Sequence, residues 1–346
     1  MTERYDDIYK AFKSTYNREI TNIGKILGKG AFGEVRDITF KNRVMAGKII
    51  ENEKPGQESI AVDLRGQNII RIQKIYQKEY KDKRYDLIIM EKAILRDLGK
   101  LNEYYHRHNL LKLIESEPFD ERCGDILLRF YSRQIINALQ VLDINNYIHF
   151  DIKPENLLVT MNLIIKLSDF SLLTKIKDNV KLPGGTQGQL TPEYYISKNT
   201  TCEIAKKQDY FALGSSLFIL KYGIPLLKYR KYDLDKLNTD RIIDLLIRNI
   251  SYIKSKNITD KYFMKFIISL IQVNAENRPN FEEIYRNKWL NKDIDEVEKT
   301  FMSFENDEEK LIQELQKKDY TLKTEKFLKK NNNNLVKFRF KKKKFE

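Results

Sequence analysis

Residues 149–156 read HFDIKPEN, a stretch built around one carboxylate, Asp151. Lys153 follows that carboxylate by two positions and Asn156 follows it by five, while Phe150 stands directly before it. An Asp or Asn in such a stretch is often only a turn residue or a helix cap. The rest of the chain must therefore decide whether these side chains do chemistry.

The bulk composition indicates a folded chain with a sizeable core. It has 346 residues, of which 41% are hydrophobic and 11% aromatic. No apolar run approaches the roughly 18 residues that a membrane span needs, and the charged start MTERYDDIYK lacks the apolar core of a secretion signal. The two cysteines lie far apart in the sequence, without metal-ligand spacing. We expect an intracellular protein without a transmembrane segment, located in the cytoplasm, with the nucleus as an alternative.

The net charge of +14 is concentrated at the C-terminus. Residues 317–346 contain 12 Lys and Arg against 3 acidic residues, a net of +9, which leaves +5 for residues 1–316. Within this tail, LVKFRFKKKKF interleaves aromatic residues with cations. The simplest interpretation is a solvated charge run. An import-receptor signal, an anionic-membrane contact and a nucleic-acid contact remain alternatives.

Hydrophobic periodicity divides the chain into two lobes. Short alternating runs such as IGKILGKG, AFGEVRDITF, RVMAGKII and YDLIIMEK predict antiparallel strands, with a helix near 57–66 and a further strand beginning near 68–70. Helical spacing dominates from about residue 97. We assign an N-terminal extension to 1–19, a strand-rich lobe to 20–90, a hinge to 91–95 and a helical lobe to 96–292. An amphipathic helix and the basic tail follow at 293–346.

A glycine-rich motif lies in the predicted first hairpin. Gly28, Gly30 and Gly33 form G-K-G-A-F-G, and such glycines allow backbone N–H groups to approach phosphate oxygens. A dinucleotide site would open a helix after the third glycine, but EVRDITF has strand character. The next strand carries Lys48. A glycine-rich hairpin followed by a lysine on the next strand is the arrangement of kinases.

The ordered set of motifs resembles the catalytic domain of eukaryotic protein kinases of the serine/threonine group, from about residue 20 to 290. The motifs occur in the family's order: GKGAFGEV at 28–35, AGK at 46–48, HFDIKPEN at 149–156, DFS at 169–171, TPE at 191–193, DYFALG at 209–214 and RP at 278–279. The resemblance implies an α+β, bilobal fold with a small antiparallel-sheet N-lobe and a large helical C-lobe. It also implies ATP and Mg²⁺ as cofactors, and proteins with Ser or Thr as substrates.

The resemblance assigns the chemistry to a few side chains. Lys48 would hold the α and β phosphates, Asp151 would accept or orient the substrate hydroxyl, and Lys153 would offset charge on the γ-phosphate. Asn156 and Asp169 would bind Mg²⁺ through oxygen. Phosphoryl transfer depends mainly on such positioning and charge neutralisation.

The resemblance also assigns the nucleotide pocket. The three glycines would cover the phosphates. Glu58 is the preferred partner of Lys48, although Glu51 and Glu53 lie nearby. Val35, Ala46 and Leu158 would pack around the adenine. The hinge would offer backbone hydrogen bonds, at Glu91 and Ala93, with Met90 at the gating position behind it. Asp97 would meet the ribose or a basic substrate residue.

The sequence departs from the family at two positions. Phe150 stands where an arginine usually pairs with a phosphate on the activation loop. Between Asp169 and Thr186 the only hydroxyl residues are Ser171 and Thr174, near the metal-binding end. We therefore predict activity without activation-loop phosphorylation. Ser171 replaces a glycine, which restricts the backbone beside Asp169.

Other motif residues are predicted to support the site. Glu193 and Arg278 would form an ion pair, Asp209 would bind the catalytic-loop backbone, and His149 would stack with Phe170. Thr186 would lie near Asp151, as in serine/threonine kinases.

Two rival functions remain open on the sequence. A pseudokinase scaffold would bind nucleotide without transferring phosphate. A basic adaptor would depend on residues 317–346 rather than on the kinase fold.

Overall fold

The structure is a computed structural model, and it describes residues 2–30, 33–52, 57–93, 97–101, 123–160, 163–186, 189–222, 240–241, 244–245, 247–248, 251 and 261–292. Met1–Ile294 form one compact unit, which holds all of these residues. Asp295–Glu346 form a second unit outside the described residues, so the predicted amphipathic helix and basic tail are not described.

A five-stranded antiparallel sheet forms the N-lobe, as predicted. Its strands are β1 (Ile20–Gly30), β2 (Gly33–Phe40), β3 (Arg43–Glu51), β4 (Ile72–Tyr80) and β5 (Lys83–Met90). Their order in the sheet is β1-β2-β3-β5-β4. Two-residue turns at 41–42 and 81–82 have positive φ at both positions, which matches the twist of the strands they join. Because side chains alternate along a strand, Ala46 and Lys48 share one face of β3 and Met45 and Ile49 share the other.

An N-terminal helix, α1 (Thr2–Thr15), covers the face of the sheet that carries Met45 and Ile49. Ile8, Tyr9 and Phe12 are buried in a core cluster formed with the strands. The sequence analysis assigned no structure to this segment. The helix belongs to the N-lobe core because its apolar residues share one helical face.

The C-lobe is mainly helical, as predicted. Its described helices are α2 (Cys123–Ile144), α3 (Pro192–Ile196), α4 (Cys202–Tyr222), α5 (Lys261–Leu270), α6 (Phe281–Tyr285) and α7 (Lys288–Asn291). Trp289 packs against Phe263 and Phe266, with ring centroids 5.0 and 5.5 Å away. None of the helices in the described part is long and apolar enough to cross a membrane.

Short antiparallel strand pairs hold the loops of the C-lobe. They are β6 (Tyr147–Ile148) with β9 (Thr174–Lys175), β7 (Leu157–Val159) with β8 (Ile165–Leu167), and β10 (Asn179–Lys181) with β11 (Asn199–Thr201). The first two pairs flank the predicted catalytic loop and metal-binding Asp169. The third pair lies within the predicted activation loop and the segment after it.

Two predicted elements differ from the structure. The helix expected near 57–66 is a short 3₁₀ helix, Gln57–Asp63, which follows the helix-breaking Pro55 and Gly56 of the sequence. The strand expected near 68–70 begins at Ile72 instead. Residues 68–70 pair with the C-lobe, since Ile70 N donates to Leu167 O at 2.9 Å and Leu167 N donates to Asn68 O at 2.8 Å.

Candidate active site

Asp151 lies at the centre of a hydrogen-bonded triangle. Thr186 Oγ1 donates to Asp151 Oδ1 at 2.7 Å, and Lys153 Nζ donates to Asp151 Oδ2 at 2.6 Å. Lys153 Nζ also donates to Thr186 Oγ1 at 2.8 Å. The prediction that Thr186 lies beside Asp151 is confirmed. The buried carboxylate is therefore held between a cation and a hydroxyl donor.

Asn156 is turned toward the same carboxylate by a one-turn 3₁₀ helix, Pro154–Asn156. Its Nδ2 donates to Asp151 O at 2.8 Å and to Asp151 Oδ2 at 2.9 Å. Because the amide nitrogen is used in this way, Oδ1 is the Asn156 atom suited to a cation.

His149 supports the loop as a neutral imidazole. Nε2 lies 3.1 Å from Ser168 O, and Asp151 N donates to Nδ1 at 3.2 Å. These partners require a proton on Nε2 and a lone pair on Nδ1. Burial lowers the pKa of His149 below its usual value, although Asp151 and Asp169 oppose that shift. The predicted contact with Phe170 is present, but it is edge-on rather than stacked, with ring centroids 5.6 Å apart.

Asp209 binds the backbone of the catalytic loop, as predicted. His149 N donates to its Oδ2 and Phe150 N donates to its Oδ1, both at 2.8 Å. Burial raises the pKa of Asp209 to about 7, and the two backbone donors only partly offset that rise. The carboxylate holds Phe150 at φ 65°, a conformation that a bulky residue rarely adopts.

Lys48 reaches from the sheet to the metal-binding candidate Asp169. Its Nζ lies 2.9 Å from Asp169 Oδ1. Burial would raise the pKa of Asp169, but the charge and hydrogen bond of Lys48, together with smaller contributions from Ser171 and His149, lower it below its usual value. Asp169 itself is in the left-handed region, with φ 63° and ψ 76°. The side chain of Glu58, the predicted partner of Lys48, lies outside the described residues, so that pairing stays a prediction.

The described glycines of the glycine-rich motif lie on β1 and at the start of β2. A Cβ on Gly33 would lie 1.9 Å from Ile49 O, so only glycine allows β2 to approach β3 here. A Cβ on Gly28 would meet nothing within 4 Å. Gly30 ends β1 next to residues 31–32, which are not described. The predicted phosphate role of these glycines stays a prediction.

The predicted adenine residues occupy the inner end of the sheet and the strand after the catalytic loop. Ala46 pairs with Met90 in the β3–β5 ladder, and Val35 pairs with Lys48. Val35, Met90 and Leu158 are only half-buried, in contrast with the neighbouring core residues. Partly exposed apolar side chains at this point suit a flat aromatic ligand.

The hinge residues have defined contacts of their own. Glu91 N donates to Arg71 O at 2.9 Å, and the Glu91 carboxylate binds Lys166 Nζ at 3.0 Å. Lys92 Nζ lies 2.6 Å from Asp37 Oδ1, which ties the hinge to β2. Ala93 is the last described hinge residue.

Asp97 is held within its own turn. Its carboxylate accepts a hydrogen bond from Lys100 N at 2.9 Å and pairs with Lys100 Nζ at 2.8 Å, and the residue is 6% exposed. Its backbone also bridges to Leu158. A ribose or a basic substrate residue would have to compete with Lys100 for this carboxylate.

The activation segment is held by an apolar cluster that the sequence analysis missed. Phe150 is buried together with Ile148, Val180, Leu182 and Ala205. Val180 lies on β10, which pairs with β11, and Leu182 N donates to Lys198 O at 2.7 Å beyond the pair. The alternating V-K-L at 180–182 is a local signal that could have indicated this packing.

The buried ion pair predicted between Glu193 and Arg278 is confirmed. Arg278 NH2 lies 2.7 Å from Glu193 Oε1, and its Nε donates to Gln272 O at 2.8 Å. Gln208 Nε2 donates to the second Glu193 oxygen at 3.1 Å. Removing one member would leave the other charge buried and unpaired.

Comparison with known proteins agrees with this geometry. The family model described as Protein kinase domain matches residues 21–290. The chain is 30% identical over 273 residues to an Aurora kinase of Saccharomyces cerevisiae, covering 78% of this chain and 68% of that protein. It is 31% identical over 228 residues to an Aurora kinase of Candida glabrata, covering 62% and 58%.

A third relative is the serine/threonine-protein kinase stk11 homolog of Dictyostelium discoideum. It is 27% identical over 292 residues, covering 80% of this chain and 46% of that protein. The chain thus spans about half the length of the second and third of these relatives. The range matched by the family model contains every motif from the glycine-rich loop to Arg278.

Proposed function

Because the chain belongs to the protein kinase family, as a serine/threonine protein kinase, we propose that it transfers the γ-phosphate of ATP to Ser and Thr hydroxyls of protein substrates, without activation-loop phosphorylation. One observation carries the proposal. The Asp151 carboxylate, the Lys153 ammonium and the Thr186 hydroxyl lie within 2.6–2.8 Å of one another.

The triangle supports a direct account of the transfer. A substrate hydroxyl that takes the place of Thr186 Oγ1 would donate to Asp151 Oδ1 and face the γ-phosphate. Asp151 orients this hydroxyl and takes its proton as the new O–P bond forms and the bond to ADP breaks. Lys153 offsets the negative charge that is shared between the Asp151 carboxylate and the oxygen of the substrate hydroxyl.

The residues present fit Mg²⁺. Among the described residues, no cluster of three or more His, Cys, Asp or Glu could hold a metal ion by itself. Mg²⁺ commonly uses one or two protein oxygens and completes its shell with phosphates and water. Asn156 Oδ1 and the Asp169 carboxylate would hold it, and the ion would neutralise phosphate charge. Lys48, paired with Asp169, would carry the α and β phosphates.

The Phe150 cluster supports activity without loop phosphorylation. A phosphate latch uses an arginine at this position to order the loop through charge. Here burial of Phe150 against Val180 and Leu182 orders the same segment by the hydrophobic effect. No described residue from 175 to 185 has a hydroxyl that a kinase could phosphorylate.

Transfer of labelled phosphate from ATP to a degenerate Ser/Thr peptide array tests the function. We expect incorporation that requires Mg²⁺ and falls at least about a thousandfold in Asp151→Asn, because the substrate hydroxyl loses its proton acceptor. The variant should still bind ATP. If the wild-type chain binds Mg·ATP but transfers no label, a pseudokinase scaffold replaces the proposed enzyme.

A further inference from the structure

The N-terminal helix contacts the two strands that carry the nucleotide-binding candidates. The Tyr9 hydroxyl lies 2.7 Å from Glu34 O and 2.6 Å from Gly47 O, so one proton is shared between two carbonyls. Glu34 directly follows Gly33 of the glycine-rich loop, and Gly47 directly precedes Lys48. Tyr9 is 1% exposed, so water has little access to this contact.

A chain of charges makes a second link from the helix to the loop. Asp6 on α1 forms an ion pair with Arg36 NH2 on β2. Arg36 Nε lies 2.6 Å from Glu34 Oε1, and Lys29 Nζ lies 3.2 Å from Glu34 Oε2. Lys29 stands between Gly28 and Gly30.

The link is costly to break because Glu34 is fully buried. A buried carboxylate needs its cations, and the loss of either one leaves uncompensated charge in a medium of low polarity. Arg36 is also held over the Tyr9 ring, 5.0 Å from its centroid. Tyr9 and the ion-pair chain therefore brace the same short stretch of backbone.

We propose that α1 positions the glycine-rich loop and Lys48 for Mg·ATP, and that Tyr9 is a positioning residue in this role. The inference rests on the proposed function, since it assumes that the nucleotide lies under the loop. A glycine-rich segment has many backbone conformations, and a ligand that must order them binds more weakly. The helix holds the described residues on both sides of the loop tip, Lys29 and Glu34, from the opposite face of the sheet.

Tyr9→Phe removes only the hydroxyl and keeps the ring in the core. We expect the Kd for Mg·ATP, measured by calorimetry, and the KM for ATP to rise about fivefold, the usual effect of one lost hydrogen bond. The kcat at saturating ATP should change less than about twofold, because the ordered loop is recovered once ATP is bound.

Tyr16→Phe is the matched control. The Tyr16 hydroxyl also donates to a strand carbonyl, Gln77 O at 3.2 Å, but on β4 rather than on the strands of the loop and Lys48. This variant should bind Mg·ATP like the wild type. Asp6→Asn supplies a second test, because it weakens the ion-pair chain without touching the core and should also raise the Kd.

Two results would overturn the inference. If Tyr9→Phe and Asp6→Asn bind Mg·ATP as tightly as the wild type, the helix contributes stability alone. If Tyr16→Phe raises the Kd equally, the effect is a general one of the N-lobe. A wild-type chain that binds no Mg·ATP would overturn the proposed function as well, so the two failures are distinguishable.

Discussion

His149 illustrates how one buried side chain links the protonation state to the geometry of the site. Its neutral form accepts a hydrogen bond from Asp151 N and donates one to Ser168 O. Protonation at Nδ1 would remove the acceptor for Asp151 N and place a charge in a site that excludes water. The imidazole therefore holds both Asp151 and the strand end before Asp169 only while it is uncharged.

We predict that His149 makes the fold sensitive to acid. Because its folded-state pKa is lowered, its contribution to stability is present above the unfolded pKa of about 6.5 and is lost as the pH falls below it. The pKa of Asp209 is raised to about 7 in the folded state, so its protonation stabilises the fold as the pH falls from 7 to 4, opposite to the effect of His149.

Comparison with His149→Phe isolates the histidine from Asp209. The free energy of unfolding, measured with urea at pH 7.5, 6.5 and 5.5, should fall more steeply in the wild type. Between pH 6.5 and 5.5 the wild type should lose up to about 1.4 kcal/mol more than His149→Phe. Parallel curves for the two proteins would show that His149 is not the group that titrates.

At the scale of elements, the activation segment is held by apolar packing around Phe150. Phe150 connects the catalytic loop to β10 through Val180, and β10 connects to β11 in front of α4. The strained φ of Phe150 is held by Asp209 on one side and by this cluster on the other. Order in the segment is therefore part of the folded core.

Phe150→Arg should lower the kcat/KM of peptide phosphorylation at least about tenfold, because a guanidinium would enter the apolar cluster without an anion.

We predict that treatment with a protein phosphatase leaves the kinase rate unchanged within about twofold, since no loop phosphate contributes to the order of the activation segment. Peptide phosphorylation before and after treatment measures the effect of the phosphatase, with heat-inactivated phosphatase as the control. A large loss of rate after treatment would contradict activity without activation-loop phosphorylation, with Ser171 and Thr174 as the loop hydroxyls to examine.

The elements also show what the sequence could predict. Asp151, Lys153 and Asn156 could be identified because their geometry arises within one short turn. The contacts of Tyr9 join residues 25 and 38 positions apart, and nothing local marks them. Periodicity predicted a full helix near 57–66, but tertiary packing and the preceding Pro-Gly left only a 3₁₀ helix.

At the scale of the whole kinase unit, a buried polar joint connects the lobes. Asn68 Nδ2 donates to Gln134 Oε1 at 3.0 Å and to Ile165 O at 2.9 Å. Ile165 N donates to the same Gln134 oxygen at 2.9 Å, and Gln134 Nε2 donates to Leu163 O at 3.1 Å. The side-chain amide of Gln134 on α2 thus provides hydrogen-bond partners for Asn68, before β4, and for Leu163 and Ile165, which lead to Asp169.

We predict that Gln134→Met destabilises the unit by about 3 kcal/mol, because it fills the volume but leaves buried partners on Asn68, Ile165 and Leu163 unsatisfied. Gln77→Met makes the same chemical change at an exposed position of β4, and its free energy of unfolding should stay within about 0.5 kcal/mol of the wild type.

Urea unfolding followed by tryptophan fluorescence reports on Trp289 in the C-lobe, and far-UV circular dichroism reports on both lobes. The joint implies that the two signals change together in the wild type and separate in Gln134→Met, as the N-lobe loses its hold on β8. Coincident transitions and unchanged stability in Gln134→Met would place the coupling between the lobes elsewhere, at the backbone pairing of residues 68–70 with Leu167 or at the Lys48–Asp169 ion pair.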